Sequence, residues 1–360
     1  MTQDFIIIGA GIAGLSAAAE LAALGRVLVL EAEAAPAHHA SGRSAALYEP
    51  RYGLPPVVEL SLASEAAFRA MPGMLKPRGL MILARADQRA AFEADLAGFQ
   101  LQEVSLAVAQ ARVPILNPAT VAFAAMADHA WDIDTDLLIQ SHIKRLRAQG
   151  GEVLCRAPVS AITREAGQWQ VQTPQGTFAA PLLVNAAGAW ADRVAALAGV
   201  APLGLTPYRR SMARLPAPGG HDVSGWPMIF GCGESWYAKP DAGALIVSPA
   251  EEDRQDPHDA WADDMVLAEG LARYEEMVTE PVTRLIANWA GLRTFAPDRV
   301  LVIGPDVAQP SFFWLAGQGG YGFQTSPAAA GLLADLLAGR APALGPALAA
   351  RLSPRRFARA

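Results

Sequence analysis

Residues 5–14 read Phe-Ile-Ile-Ile-Gly-Ala-Gly-Ile-Ala-Gly, and Val27-Leu-Val-Leu-Glu31 follows after an Ala- and Leu-rich stretch. The apolar run Phe5 to Ile8 predicts a buried strand, Ala13 to Leu24 a helix with Gly25 at its C′ position, and Val27 to Leu30 a second strand. Three glycines sit at the turn between the first strand and the helix. Gly9 permits the tight turn, Gly11 lets the backbone approach a pyrophosphate resting on the helix N-terminus, and Gly14 allows close helix-to-strand packing. Glu31 lies 31 − 9 = 22 positions after the first glycine, where an acid accepts hydrogen bonds from ribose hydroxyls. Strand, helix and acid together make this a dinucleotide fingerprint, one that does not separate FAD from NAD.

The rest of the composition fits a folded, non-nucleic-acid protein. The 360 residues give a prior of roughly two domains, 52% are hydrophobic and 18% charged, and the net charge is 29 − 35 = −6. Cys155 and Cys232 cannot make a disulfide framework, which points to a reducing, cytoplasmic location. Glycines 9, 11 and 14 interrupt the apolar stretch Phe5 to Gly25, and only Thr2, Gln3 and Asp4 precede it after Met1. Neither a membrane span nor a secretion signal is expected. The end of the chain carries Arg351, Arg355, Arg356 and Arg359, to which no function is assigned.

Further along, Asp134 or Thr135 caps a helix running to about Ala148, and strands are expected over Val153 to Thr163, Gln168 to Thr173, Thr177 to Ala180 and Leu182 to Val184. Pro207 to Ala213, Met228 to Gly231, Ser235 to Lys239 and Ala244 to Ser248 suggest an antiparallel sheet. A long helix is expected over Asp259 to Thr279, with strands again at Val300 to Ile303 and Phe312 to Leu315. Ser326 as N-cap, Pro327 at N1 and Gly339 at C′ frame a last helix. Lys239 reads as part of a hairpin turn, and the acidic run Asp132 to Asp136 as helix capping rather than a calcium loop. No metal-ligand spacing is present, His38-His39 included.

Gly9 to Gly14, Ser41-Gly42-Arg43-Ser44, Asn185-Ala186-Ala187-Gly188-Ala189-Trp190 and Gly317-Gln318-Gly319-Gly320-Tyr321-Gly322 occur in that order. Across nearly its whole length the chain thereby resembles the D-amino-acid oxidase family of flavoenzymes, and within it the FAD-dependent D-arginine dehydrogenases. The resemblance implies an α/β fold: a Rossmann-type FAD domain over 1–76, 133–203 and 288–360, and an α+β, mainly antiparallel substrate domain over 77–132 and 204–287. It implies FAD held without a covalent bond by Gly9, Gly11, Ile12, Ala13, Gly14, Glu31, Ser41, Gly42, Arg43, Ser44, Val159, Ala187, Gly188, Trp190, Gly317, Gly319, Gly320, Tyr321, Gly322, Gln324 and Thr325. No Cys or His follows His258 to serve as a C-terminal flavin link, and His39, near where one branch of the family links its flavin, is read as a hydrogen-bonding or solvent-facing side chain. The N-terminus of the Ser326 helix would stabilise charge on the reduced flavin.

By the same resemblance, Arg210 and Arg293 clamp a substrate carboxylate, Tyr52 and Tyr237 orient it, and Gly320 offers a carbonyl to the amine. Tyr48 is expected in the pocket, and Tyr48 to Pro56, which contains Gly53, Pro55 and Pro56, reads equally as a mobile lid over the site or as an ordinary rigid loop. Leu47 and Leu80 depart from the arginine-oxidising pattern, where a histidine and an acid are expected. A cationic tail beside Leu80 would be desolvated without a partner, so an apolar D-amino acid is the expected substrate. The expected reaction is oxidation to an imine that hydrolyses to a 2-oxo acid and ammonia, with oxygen or a quinone as electron acceptor. The alternative within the same superfamily is a sarcosine, glycine or imino-acid oxidase or dehydrogenase. Outside it stand a nicotinamide-dependent reductase and a non-catalytic flavin-binding protein.

Overall fold

In the computed structural model, which describes residues 3–358, the opening strand Phe5–Ile8 pairs in parallel with Val27–Leu30 on one side and Leu182–Asn185 on the other. The six-stranded sheet around it runs Val302–Pro305, Phe312–Ala316, Leu182–Asn185, Phe5–Ile8, Val27–Leu30, Glu152–Leu154, with only the first of these antiparallel to its neighbour. Its central strands are buried throughout, as a parallel sheet covered on both faces requires. Helices Ile12–Leu21, Thr135–Ala148 and Gly322–Leu337 cover one face in a cluster with Leu15, Leu146, Leu315 and Leu333.

The second sheet has nine strands. In order they are Asp253–Arg254, Thr206–Pro216, Ala244–Ser248, Trp236–Asp241, Met228–Gly231, Leu80–Ala84, Phe123–Ala127 and Gln102–Val104, with Ala287–Phe295 also paired to Thr206–Pro216. All pairs are antiparallel except Met228–Gly231 with Leu80–Ala84. The fold is thus the Rossmann-like sheet plus a second, largely antiparallel sheet that the sequence implied. Ala287–Phe295, expected from residue 288 on to belong to the FAD domain, is joined by nine residue pairs to Thr206–Pro216 of the second sheet.

Several elements differ from the sequence expectation for local reasons. The first helix ends at Leu21, and Gly25 is needed for space: a Cβ there would lie 2.6 Å from Asp4 Oδ2. Val153 to Thr163 is two strands, Glu152–Leu154 and Ala161–Glu165, belonging to different sheets. The helix expected over Asp259 to Thr279 is confined to Asp264–Glu276, where the Asp263 carboxylate accepts from the Met265 and Val266 amides. The last helix begins at Gly322 rather than Ser326. Pro327 sits inside it, and the Ser326 hydroxyl donates to the Phe323 carbonyl (2.9 Å) that the proline has no N–H to satisfy. Gly339 does take the left-handed C′ conformation (φ +66°). Asp134 caps Thr135–Ala148 by accepting from the Leu137 amide.

Lys239 is not in a turn. It lies within Trp236–Asp241, buried, and its ammonium donates to the Ala45 and Ala46 carbonyls (2.6 and 3.0 Å) and pairs with Asp132 (3.0 Å), tying the second sheet to the loop before Leu47. At the chain's end Arg351 pairs with Glu59 and Arg356 with Asp298; Arg359 lies outside the described residues. No helix among the described residues is long and apolar enough to cross a membrane.

Two packing details yield measurable expectations. A Cβ on Gly14 would lie 1.9 Å from the Gly9 carbonyl oxygen, so Gly14→Ala should destabilise the protein by about 1–3 kcal/mol and lower its bound-dinucleotide content, read by thermal denaturation and absorbance. His142 is buried with both ring nitrogens unpartnered, and burial pushes it down to about 4. Its folded form favours the neutral ring, so stability is complete above the unfolded value near 6.5 and falls as pH drops from there towards 4, by about 3 kcal/mol in all. His142→Leu should abolish that part of the acid sensitivity in denaturant titrations.

Candidate active site

One large cavity, of about 590 Å³, runs from the C-terminal ends of the parallel strands to the face of the second sheet. At its first end, Gly9 (φ +102°) makes the turn after Phe5–Ile8, and a Cβ on it would meet the Ala186 carbonyl oxygen at 2.5 Å. The Ile12 amide at the helix N-terminus donates to Ser41 Oγ (3.0 Å). The Glu31 carboxylate is aimed by two backbone amides, accepting from Ala10 (2.7 Å) and Glu33 (3.0 Å), and its outer edge faces the cavity.

Gly9, Gly11, Ile12, Ala13, Glu31, Ser41, Arg43, Ser44, Val159, Ala187, Gly188, Trp190, Gly319, Gly320, Gly322 and Gln324 all line this cavity. Five residues expected beside them do not. Gly14 packs under Gly9, and Gly42 against the Ala37 carbonyl. Gly317 shapes the turn (φ +72°), Tyr321 stacks edge-on against Tyr52, and Thr325 is fully buried with its hydroxyl bonded to the Tyr321 carbonyl. The helix end that meets the cavity is that of Gly322, not Ser326. The Arg43 guanidinium is engaged by protein, donating to the Ala260 and Ala290 carbonyls (2.8 and 3.0 Å) and pairing with Asp259.

At the far end, Arg210 and Arg293 stand on neighbouring antiparallel strands. Arg210 is opposite Gly291, two residues from Arg293, so the two side chains share one face. Arg210 is 3% exposed; its Nε has no partner and its nearest acid oxygen, Glu252 Oε1 at 3.5 Å, is also held by Arg299 at 2.7 Å. Burial and the neighbouring charge of Arg293 lower the proton affinity of Arg210. Arg293 Nη1 donates to the Tyr52 hydroxyl (3.3 Å), which donates to Glu234 (2.9 Å). Burial pushes the Tyr52 phenol up, so it stays protonated and able to donate. A Cβ on Gly320 would lie 2.7 Å from Arg293 Cζ, so the backbone there rests directly on the guanidinium. Tyr237 lines the same end. Arg209, not nominated from sequence, pairs instead with Asp253 (2.6 Å).

Two expected pocket residues lie elsewhere. Tyr48 is fully buried against Phe68 and Trp131, with its hydroxyl donating to the Ser61 carbonyl (2.9 Å). Leu80 pairs with Met228 in the sheet and is fully buried in the cluster behind Met212, Met228 and Phe230, which do line the cavity. The argument from Leu80 about a substrate tail therefore loses its footing. Leu47 lines the cavity as expected, and so does Glu49, which the sequence reading passed over. Alternation along Leu47-Tyr48-Glu49 was the available signal: it puts residues 47 and 49 on one face and Tyr48 on the other. Also unforeseen is the approach of Glu33 to His39 (3.0 Å), with Asp259 at 3.7 Å from the other ring nitrogen.

The sequence profile of the family described as "DAO: FAD dependent oxidoreductase" matches residues 4–336. The chain belongs to this FAD-dependent family. It is 24% identical to FAD-dependent oxidoreductase domain-containing protein 1 of Bos taurus, over 93% of this chain and 81% of that one. To glycine oxidase of Pseudomonas putida it is 27% identical, over 96% and 98%. Among solved structures, L-proline dehydrogenase from P. horikoshii superposes with a TM-score of 0.84 at 21% identity, covering 99% and 98% of the two chains. Membership makes the chain an oxidoreductase that uses FAD, and the cavity fits that group: close-approach glycines and an amide-aimed acid at one end, backbone resting on the half-buried Arg293 at the other. FAD is held without a covalent bond. Neither cysteine lines the cavity, and both ring nitrogens of His39 face acids. Acid precipitation of the yellow protein should therefore leave a colourless pellet and a yellow supernatant; colour retained in the pellet would show a covalent link.

Proposed function

We propose that the protein oxidises the carbon–nitrogen bond next to a carboxylate in a glycine-type or imino (secondary-amine) acid. The observation that carries this reading is the pair of guanidiniums at Arg210, buried, and Arg293, half-buried, on one face, where the acid oxygen in ion-pair reach of Arg210, that of Glu252, is shared with Arg299. Two desolvated like charges call for an anion between them, and a planar fork grips a carboxylate through two parallel hydrogen bonds. The names of similar proteins, glycine oxidase and proline dehydrogenase, support this class above the apolar D-amino acid first expected.

When bound, the flavin accepts a hydride from the substrate carbon. The chain's own residues do the positioning. Arg210 and Arg293 hold the carboxylate, the Tyr52 and Tyr237 hydroxyls fix its orientation, and the backbone at Gly320, resting on Arg293, offers a carbonyl to the amine. Leu47, Phe99, Met212, Met228 and Phe230 wall the cavity and exclude water around the reacting bond. The imine product then hydrolyses in water.

Anaerobic mixing with glycine, sarcosine, proline and apolar D- and L-amino acids tests the proposal, with bleaching expected from a glycine or imino acid. Bleaching by none of them would overturn it, and bleaching by D-amino acids alone would restore the first expectation. Arg210→Lys should raise KM by about 10–100-fold while FAD stays bound.

A further inference from the structure

His38 and His39 carry no metal-ligand spacing in the sequence, yet the fold brings Glu33 back to them. A nitrogen of each ring and a carboxylate oxygen of Glu33 lie within 4.8 Å of one another, in the wall of the cavity near Glu31. His39 Nε2 stands 3.0 Å from Glu33 Oε1. That is close to the separation of about 3.3 Å between two ligands of a tetrahedral zinc with bonds of about 2.0–2.1 Å. The other nitrogen of the same ring, Nδ1, lies 3.7 Å from Asp259 Oδ1, and His38 Nε2 lies 3.9 Å from Asp259 Oδ2. Glu33 pairs with no lysine or arginine among the described residues, so its charge is available to a cation. The backbone that carries these groups is held by the protein itself. The Glu33 amide donates to Glu31 (3.0 Å), and the Ala37 amide donates to the Ala10 carbonyl (3.0 Å). The His39 ring packs on Trp190 with centroids 4.6 Å apart. The side chains of His38 and Glu33 remain 41% and 36% exposed, open to an ion from solvent.

We propose that Glu33, His38 and His39 bind one divalent transition-metal ion of the zinc type, with Asp259 as the carboxylate that orients His39. Two imidazoles and one carboxylate suit such an ion, whereas calcium and magnesium take shells of oxygen. Ligation through Nε2 leaves the His39 proton on Nδ1, the nitrogen that faces Asp259. A carboxylate behind a ligating imidazole in this way fixes the tautomer and the ring orientation. The hydrogen bond from Arg43 holds the Asp259 carboxyl below its usual range, so that it stays charged. Glu33 and Asp259 bring two negative charges against the one positive charge of Arg43, and the ion supplies the balance. Three protein ligands leave a fourth position for water. Because the ligands and their orienting acid come from both sides of the chain's fold, residues 33–39 and Asp259, the ion fastens the loop after Val27–Leu30 to the segment that precedes Asp264–Glu276. The site stands whichever substrate the enzyme oxidises.

Equilibrium dialysis of the FAD-loaded enzyme against zinc, after stripping with EDTA, should show one ion per chain with a Kd on the order of 10 μM or tighter. His38→Ala, Glu33→Gln and Asp259→Asn should each weaken binding by about tenfold or more. Millimolar calcium or magnesium should leave the zinc in place. X-ray absorption at the zinc edge reads the ligands of the wild-type protein without any substitution, and should show two imidazoles. Absence of saturable binding, a zinc shell without imidazole, displacement by calcium, or full affinity in any of the three variants overturns the inference. None of these measurements involves turnover, so their failure is distinct from a failure of the proposed function.

Discussion

Two guanidinium groups on one face of a sheet, with a single acid shared between Arg210 and Arg299, are the constraint to which the rest of this molecule answers. Each loses its hydration and each repels the other, a cost the protein carries only because the sheet around them is stable without them. The nine-residue pairing of Thr206–Pro216 with Ala287–Phe295 sets Arg210 and Arg293 on one face, and the surrounding apolar clusters keep those strands from relaxing apart. The Tyr52 hydroxyl softens the arrangement by accepting from Arg293 and passing its own proton towards Glu234. What remains uncompensated is a directed positive field that faces into the cavity.

That field is useful only if the two sheets keep their relative position, and a few long polar side chains do this work. Lys239 reaches from the second sheet to the Ala45 and Ala46 carbonyls, and Arg43 reaches from the dinucleotide side to the Ala260 and Ala290 carbonyls. Both bind backbone carbonyls as well as one acid each, Asp132 and Asp259, so they hold the path of the chain on each side of the cavity. Trp289 adds a third tie, its indole N–H donating to the Arg43 carbonyl. Because these ties flank Ser44 to Leu47, the stretch leading to Glu49 is held from both sheets.

The dinucleotide end was legible because its determinants are local: three glycines, a helix and an acid within residues 9–31 place one another through the backbone. The cap at Asp134 was legible for the same reason, since the group it satisfies is three residues away. Where the deciding partner is distant in sequence, reading failed. Ser326 and Pro327 carry the signature of a helix start, but the hydroxyl of Ser326 serves the helix interior. Leu80 has the right position in the chain and the wrong depth, because what covers a strand face depends on residues from other strands. Lys239 looked like a turn because the carbonyls it serves lie at Ala45 and Ala46. Glu49 was within reach through strand alternation, but a lone acid beside a tyrosine carries no sign in sequence of what will surround it.

The single parallel pairing in the second sheet, Leu80–Ala84 with Met228–Gly231, bears on how the protein is made. On a ribosome adding about 5–20 residues each second, the wholly apolar Leu80–Ala84 emerges roughly ten seconds before its partner exists. Phe123–Ala127 can cover one edge early, leaving the other open. The nascent chain must therefore hold a sticky, half-paired ribbon until its middle third is synthesised, an interval exposed to aggregation and to capture by chaperones.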